Sequence, residues 1–198
     1  FAGVGMSRKA KAAKRAAELG PARRGWTPAE LRALFAVRPE DPALFWAPRI
    51  AAGTGMRMEE VLSLRGEDFR DAGDGGWLVA VRQSKTEAGR RDIPLHSTLV
   101  AAGLVALASR CGDGRLFPEL PRDRRRGRLS AQFTKLFGRH RKRLRLTARG
   151  LDFHGFRATA NAAMETGGAS LTRRQAILGH ASAALADSAY LRDGPDWR

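Results

Sequence analysis

A single tyrosine, Tyr190, stands ten residues after His180 in a 198-residue chain of formal charge +16. A phenol can act as a nucleophile, and a strongly basic chain suits a phosphate backbone. Together they describe cleavage of a nucleic acid through a covalent protein link. Attack on a phosphodiester by a phenol sets definite demands. The nucleophile starts from a pKa of about 10. The pentacoordinate phosphorane carries charge on its non-bridging oxygens, which bidentate arginines suit best. The leaving 5′ oxygen needs a proton, and histidine or lysine can move protons without a metal.

Residues of these types are spread along the chain. Arg57 follows Gly53-Thr54-Gly55-Met56 at a loop-to-helix junction, and Glu60 lies one turn further on; the plainer role is a surface ion pair worth a few tenths of a kcal/mol. His154 and Arg157 are three apart on an expected helical face, with Leu151, Phe153, Phe156 and Ala160 spaced to anchor it. Lys85 sits in the polar loop Gln83-Ser84-Lys85-Thr86, where most lysines are merely solvated. His180 follows Gly179 at a helix end, where capping is the plainer role.

The charge excess is local. Lys and Arg number 36 against 20 Asp and Glu, and between Arg122 and Arg149 Asp123 is the only acid. Arg124, Arg125, Arg126, Arg128, Lys135, Arg139, Arg141, Lys142 and Arg143 are candidate nucleic-acid contacts there, with salt-sensitive affinity expected from counterion release. An arginine-rich surface or a membrane-surface patch would read alike on charge alone. RNA binding lacks its usual aromatic platforms or a recognisable motif.

The length fits one large domain or two small ones. No apolar run approaches the roughly 20 residues of a membrane span, and no secretory leader is evident. Cys111 is alone, which excludes an internal disulfide, makes a zinc cluster poorly supported and points to a reducing compartment. Ala10 to Leu19 reads as a linker or the end of a preceding helix rather than a targeting helix. The opening at Phe1 suggests an excised or processed piece.

A mostly helical domain with one small antiparallel sheet must position these groups. Thr27, Pro28 and Glu30 predict a capped helix running to Val37, with Trp26 packing back as a staple. A second helix begins at Asp41-Pro42, turns Leu44, Phe45, Ile50 and Ala51 inward, and ends at Gly53-Thr54-Gly55. A third, from Met58 to Leu64, buries Val61, Leu62 and Leu64. Gly73 to Gly76 is a turn, Trp77 to Val81 a strand, and Arg91 to Pro94 its hairpin partner across a loop too long for a tight turn. Further helices are expected over residues 97–108, 129–143, 152–166 and 171–178, the last capped by Ser170 or Thr172, with a short one through Asp187 and Tyr190. Residues 122–128 form a loop.

Taken in order, these segments resemble the catalytic domain of the tyrosine recombinases, the phage-integrase family. Thr54-Gly55-Met56-Arg57 through Leu64 resembles its first arginine box, Ser84-Lys85-Thr86 through Leu95 its hairpin lysine region, His154-Gly155-Phe156-Arg157 its His-x-x-Arg box, and Leu178-Gly179-His180 with Tyr190 its terminal box. The resemblance spans about residues 26–192. It implies the family fold and site-specific cleavage and rejoining of double-stranded DNA through a 3′-phosphotyrosyl bond, with no cofactor, metal or ATP. Tyr190 would attack, Arg57 and Arg157 hold the non-bridging oxygens, and Lys85 protonate the leaving oxygen. His154 would accept the phenolic proton, His180 bond the phosphate, and Glu60 steady its basic neighbours. Residues 26–198 would be the catalytic domain and 1–25 a linker or the tail end of an N-terminal DNA-binding domain. The partner assembly would be a homotetramer on DNA, with a monomer as the alternative for the isolated chain. The location would be the bacterial cytoplasm, at the nucleoid. A type IB topoisomerase-like enzyme, a resolvase, or an idle DNA-binding module of this fold are the alternatives.

Three departures from the family pattern stand out. The interval from His180 to Tyr190 is longer than usual by one residue. Ala158 replaces a histidine often found beside the second arginine, read as packing, and Ala160 sits where a larger apolar residue is usual.

Overall fold

The computed structural model describes residues 24–82 and 89–180. Lys85 and Tyr190, the loop residues around Lys85, the short helix expected through Asp187, and the segment before Arg24 lie outside them.

The helices are α1 (Pro28–Ala36), α2 (Pro42–Thr54), α3 (Met58–Leu62), α4 (Ser97–Ala101), α5 (Leu104–Cys111), α6 (Ser130–Arg143), α7 (Gly155–Thr166) and α8 (Leu171–Leu178). Strands β1 (Phe69–Gly73), β2 (Gly76–Val81) and β3 (Arg91–Pro94) form one antiparallel sheet in that order. Local chemistry explains the helix starts. Thr27 and Glu30 complete a reciprocal capping box with Pro28 in the first turn. Asp41 caps α2 through the Leu44 N–H, and Ser170 caps α8 through that of Arg173.

The aromatic part of the core gathers around Trp26, α6 and α7. Trp26 stacks on Phe156 at 4.7 Å, Phe137 and Phe153 close around them tilted or edge-on, and Phe133 packs behind, stacked on Phe137 and edge-on to Phe153. Trp26 also donates Nε1–H to the Asp152 carbonyl at 2.9 Å, and its backbone N–H to Thr159 Oγ1 at 2.7 Å. It therefore clasps the start of α7, a partner far along the chain, beyond the local staple expected. Phe156 is fully buried, and this fixes the rotation of the helix that carries Arg157.

Several expectations are corrected. The sheet has a third strand, β1, joined to β2 by Asp74-Gly75; both residues have positive φ, the requirement of a two-residue type I′ turn. The expected helix 97–108 is two helices broken at Gly103, whose φ is 94°. Leu99 and Leu104 are both buried, yet in one unbroken helix they would point roughly 140° apart. Helix α3 stops at Leu62, because the chain after Leu64 pairs Arg65 with Arg115. Phe45 is only partly buried and lies beneath the Arg49 guanidinium at 3.9 Å. Helix α7 begins at Gly155 rather than at 152, and His154 is its N-cap residue, with helical dihedrals of φ -66° and ψ -23°.

Candidate active site

The residues following Gly55 set the first arginine. Gly55 ends α2 with φ 68°, and a side chain there would approach Leu178 Cδ2 to 2.5 Å. Only glycine turns the chain there while letting α8 come this close. Arg57 is then the N-cap residue of α3, its side chain 44% exposed. Glu60 is buried, so this is no surface pair. Its Oε2 accepts the Arg57 backbone N–H at 2.8 Å, and its Oε1 the Arg57 Nη1–H at 2.8 Å.

A third arginine joins them. Arg91, the first residue of β3, places Nη2 3.0 Å from Glu60 Oε2, with both side chains almost fully buried. It also donates Nη1–H to the Gly89 carbonyl at 2.7 Å and Nε–H to the Ile177 carbonyl at 2.6 Å. Sequence reasoning gave Arg91 no role, although it lies within the segment matched to the hairpin box.

Arg157 enters from α7, buried at 6% exposure. It donates to the Gly55 carbonyl at 2.9 Å and to the Leu178 carbonyl. Arg57 Nη2–H reaches the Gly179 carbonyl at 3.3 Å. The last carbonyls of a helix have no partners within it. Here the carbonyls of Ile177, Leu178 and Gly179 each receive one arginine, from β3, α7 and α3 in turn.

Three guanidinium groups against one carboxylate leave the cluster positive. Burial works against ionisation of Glu60, but bonds from Arg91 and then Arg57 outweigh it and hold the carboxyl below its usual range. Burial first, then the charges of Arg57 and Arg91, bring Arg157 down to about 10, so it is still a cation at neutral pH. His180, exposed just beyond Gly179, has its pKa lowered by partial burial and then by Arg157, Arg57 and Arg91. Such a cluster is short of an anion.

Arg57, Glu60, Arg157 and His180 thus meet around the end of α8. His154 is exposed at the start of α7, three residues before Arg157, whose N–H bonds the His154 carbonyl at 3.0 Å. The basic tract lies elsewhere on the chain, in the loop before α6 and along α6. Its members Arg124, Arg125, Arg126, Arg128, Lys135, Arg139, Lys142 and Arg143 are exposed. Arg141 is only partly so, and donates to the Leu146 carbonyl at 2.8 Å. Ala158 is exposed, so its small size serves no packing, whereas Ala160 is buried beside Gly55 and Leu178. No described helix is long and apolar enough to cross a membrane.

Comparison with known proteins gives a consistent picture. The model of the phage integrase family matches residues 11–195. No match was found among the curated proteins. Among solved structures, XerA recombinase is similar with a TM-score of 0.63 and 22% identity over 83% of this chain and 57% of that one. XerH site-specific recombinase bound to its difH substrate gives 0.60 and 19% over 81% and 48%. A lambda integrase tetramer bound to a Holliday junction gives 0.59 and 25% over 94% and 55%. The chain spans about half the length of these relatives. The fold is that of tyrosine recombinase catalytic domains, and the chain belongs to the phage integrase family.

Proposed function

We propose that this chain is the catalytic part of a site-specific DNA recombinase that cuts and rejoins duplex DNA through Tyr190. The observation that carries this reading is the positive cluster of Arg57, Arg91 and Arg157 around Glu60, with His180 at its rim. It offers a phosphodiester two partly committed guanidinium forks and an imidazole, with no carboxylate left facing outward.

In the proposed reaction the Tyr190 oxygen attacks phosphorus as the P–O5′ bond breaks. His154 takes the phenolic proton, and Lys85 gives one to the departing 5′ oxygen. Arg57 and Arg157 take up charge on the non-bridging oxygens, and His180 donates a further hydrogen bond. The phosphotyrosyl bond conserves the energy of the broken ester, so a 5′-hydroxyl from a second strand reverses the step without ATP. Covalent geometry permits both deliveries. Lys85 is four residues from Gly89, whose carbonyl holds Arg91, and Tyr190 is ten from His180; at about 3.5 Å per residue either span is ample. Residues 26–198 would form the catalytic domain, preceded by a linker, and the working assembly would be a homotetramer on DNA at the bacterial nucleoid. The XerH and lambda integrase structures, described as bound to DNA, support that partner by likeness.

The test is a nicked suicide duplex carrying the cognate site, followed by denaturing electrophoresis. A protein–DNA adduct should form in EDTA and vanish in Tyr190→Phe. An adduct surviving that substitution, or one requiring Mg²⁺, would sink the mechanism. Relaxation of supercoiled plasmid without joined recombinant products would instead identify a type IB topoisomerase-like enzyme.

A further inference from the structure

We infer that Asp123 is a positioning residue that shapes the arginine-rich loop into a preformed phosphate-contacting edge, which Glu59 ties to the helix carrying Arg57. The inference rests on the duplex-DNA reading above.

By composition, residues 122–128 are five arginines, one glycine and one acid. Such a run would ordinarily be a self-repelling, solvated coil. Its backbone is instead closed on itself. The Asp123 N–H donates to the Arg128 carbonyl at 2.8 Å, and the Gly127 N–H to the Asp123 carbonyl at 3.0 Å. The Asp123 carboxylate accepts the N–H groups of Arg125 at 3.0 Å and Arg126 at 2.6 Å on Oδ1, and that of Arg128 at 3.0 Å on Oδ2. Those amides, Arg126 first, hold its carboxyl below the usual range, so the arrangement persists through neutral pH. The one acid of the tract is thus committed to main-chain N–H groups, while the side chains of Arg124, Arg125, Arg126 and Arg128 are exposed.

The next two residues are anchored to α3, the helix that also carries Glu60. Leu129 and Ser130 donate their N–H groups to Glu59 Oε1 at 2.8 Å and Oε2 at 3.0 Å, and Leu129 is fully buried. Glu59 belongs to α3, directly before Glu60. Beyond the anchor, Lys135, Arg139 and Lys142 follow at helical spacing on the exposed face of α6 and extend the charged edge. Cations fixed in place lose little conformational freedom on meeting phosphates. Their tie to α3 sets the register of the duplex relative to Arg57.

The test exploits a conflict of signs. Asp123→Asn and Asp123→Ala remove the same negative charge, so electrostatics alone would tighten DNA binding equally in both. Positioning gives the opposite order: Asn keeps an acceptor for Arg125 and Arg126, whereas Ala keeps none. Binding of a short fluorescent duplex of mixed sequence, followed by anisotropy between about 50 and 200 mM salt, reads the difference. Asp123→Ala should bind about threefold or more weakly than wild type, with the slope of log affinity against log salt shallower by about one per lost phosphate contact. Asp123→Asn should lie between Ala and wild type. Equal tightening in the two variants would overturn the positioning role, and melting curves establish that both are folded. Glu59→Ala should also weaken binding; affinity at or above wild type would remove the tie to α3. With Asp123 intact, replacing Arg124 and Arg126 together by Ala should flatten the slope by about two, and an unchanged slope would show that the loop does not touch phosphate. The DNA reading itself fails by a different result: wild-type protein with no salt-dependent duplex affinity, or with a preference for single-stranded RNA.

Discussion

Arg91 Nη2 lies 3.0 Å from Glu60 Oε2 with both side chains about 95% buried, an ion pair joining β3 to the helix that carries Arg57. Truncating one partner of such a pair strands the other charge, at a cost of about 3–5 kcal/mol. Arg91→Ala should therefore lower stability by an amount in that range in urea melts. Arg91→Lys keeps the charge but cannot meet Glu60, Gly89 and Ile177 at once. It should fold, yet cut the suicide duplex more slowly than wild type in single-turnover assays. A fully active lysine variant would reduce Arg91 to a charge alone.

His180 should titrate below its ordinary 6.5, because burial and three nearby arginines oppose its protonation. It is then neutral at pH 7 and becomes charged only on acidification. Arg57→Ala removes one repelling charge and should raise the value, and a bound anion such as vanadate should raise it in wild type. Imidazole resonances followed by NMR across pH measure all three shifts.

Glu30 accepts from Arg24 and from the Thr27 backbone and hydroxyl, and the Arg24 bond does most to lower its pKa to about 2 from 4.5. A depressed value adds stability above the unfolded pKa and loses it as pH falls through the folded one. Glu30→Gln should thus cost about 1–2 kcal/mol near neutrality. Its deficit should shrink steadily from about pH 5 downward as the wild-type carboxyl also becomes neutral. Thermal melts at a series of pH values give the profile.

Gly55→Ala would carry a strained left-handed φ and a Cβ 2.5 Å from Leu178. We expect a loss of about 2 kcal/mol or more. Leu178→Ala added to it should relieve the clash, so the double variant is less destabilised than the sum of the single ones. Additive losses would place the strain elsewhere.

Much of the fold was legible because its signals are local. The capping box at Thr27–Glu30, the glycine ending α2, and the apolar spacing of α6 and α7 each declare themselves within a few residues. Strand β1 was missed since only Phe69 among its residues is buried, leaving no alternation to read. Its signal was the Asp74-Gly75 pair, which favours the hairpin turn found there.

The site was legible unevenly, for the same reason. Arg57 and Glu60 form a pair within one turn. Arg91 looks in sequence like an ordinary charge on a short strand, because its partners Glu60 and Ile177 are 31 and 86 residues away. The sequence of residues 122–128 reads only as a loop, because the order Asp123 imposes resides in backbone hydrogen bonds that composition does not reveal.

The three arginines that hold the end of α8 all grip residues no later than Gly179. In the proposed reaction this separates two jobs along the chain. Recognition of the phosphate is complete before the tail begins, and the tail decides only whose phosphate the phenol meets. An added or deleted residue between His180 and Tyr190 retimes or redirects delivery without rebuilding the receptor. On that proposal the extra residue in that interval would be a change of address, one that leaves the lock as it was.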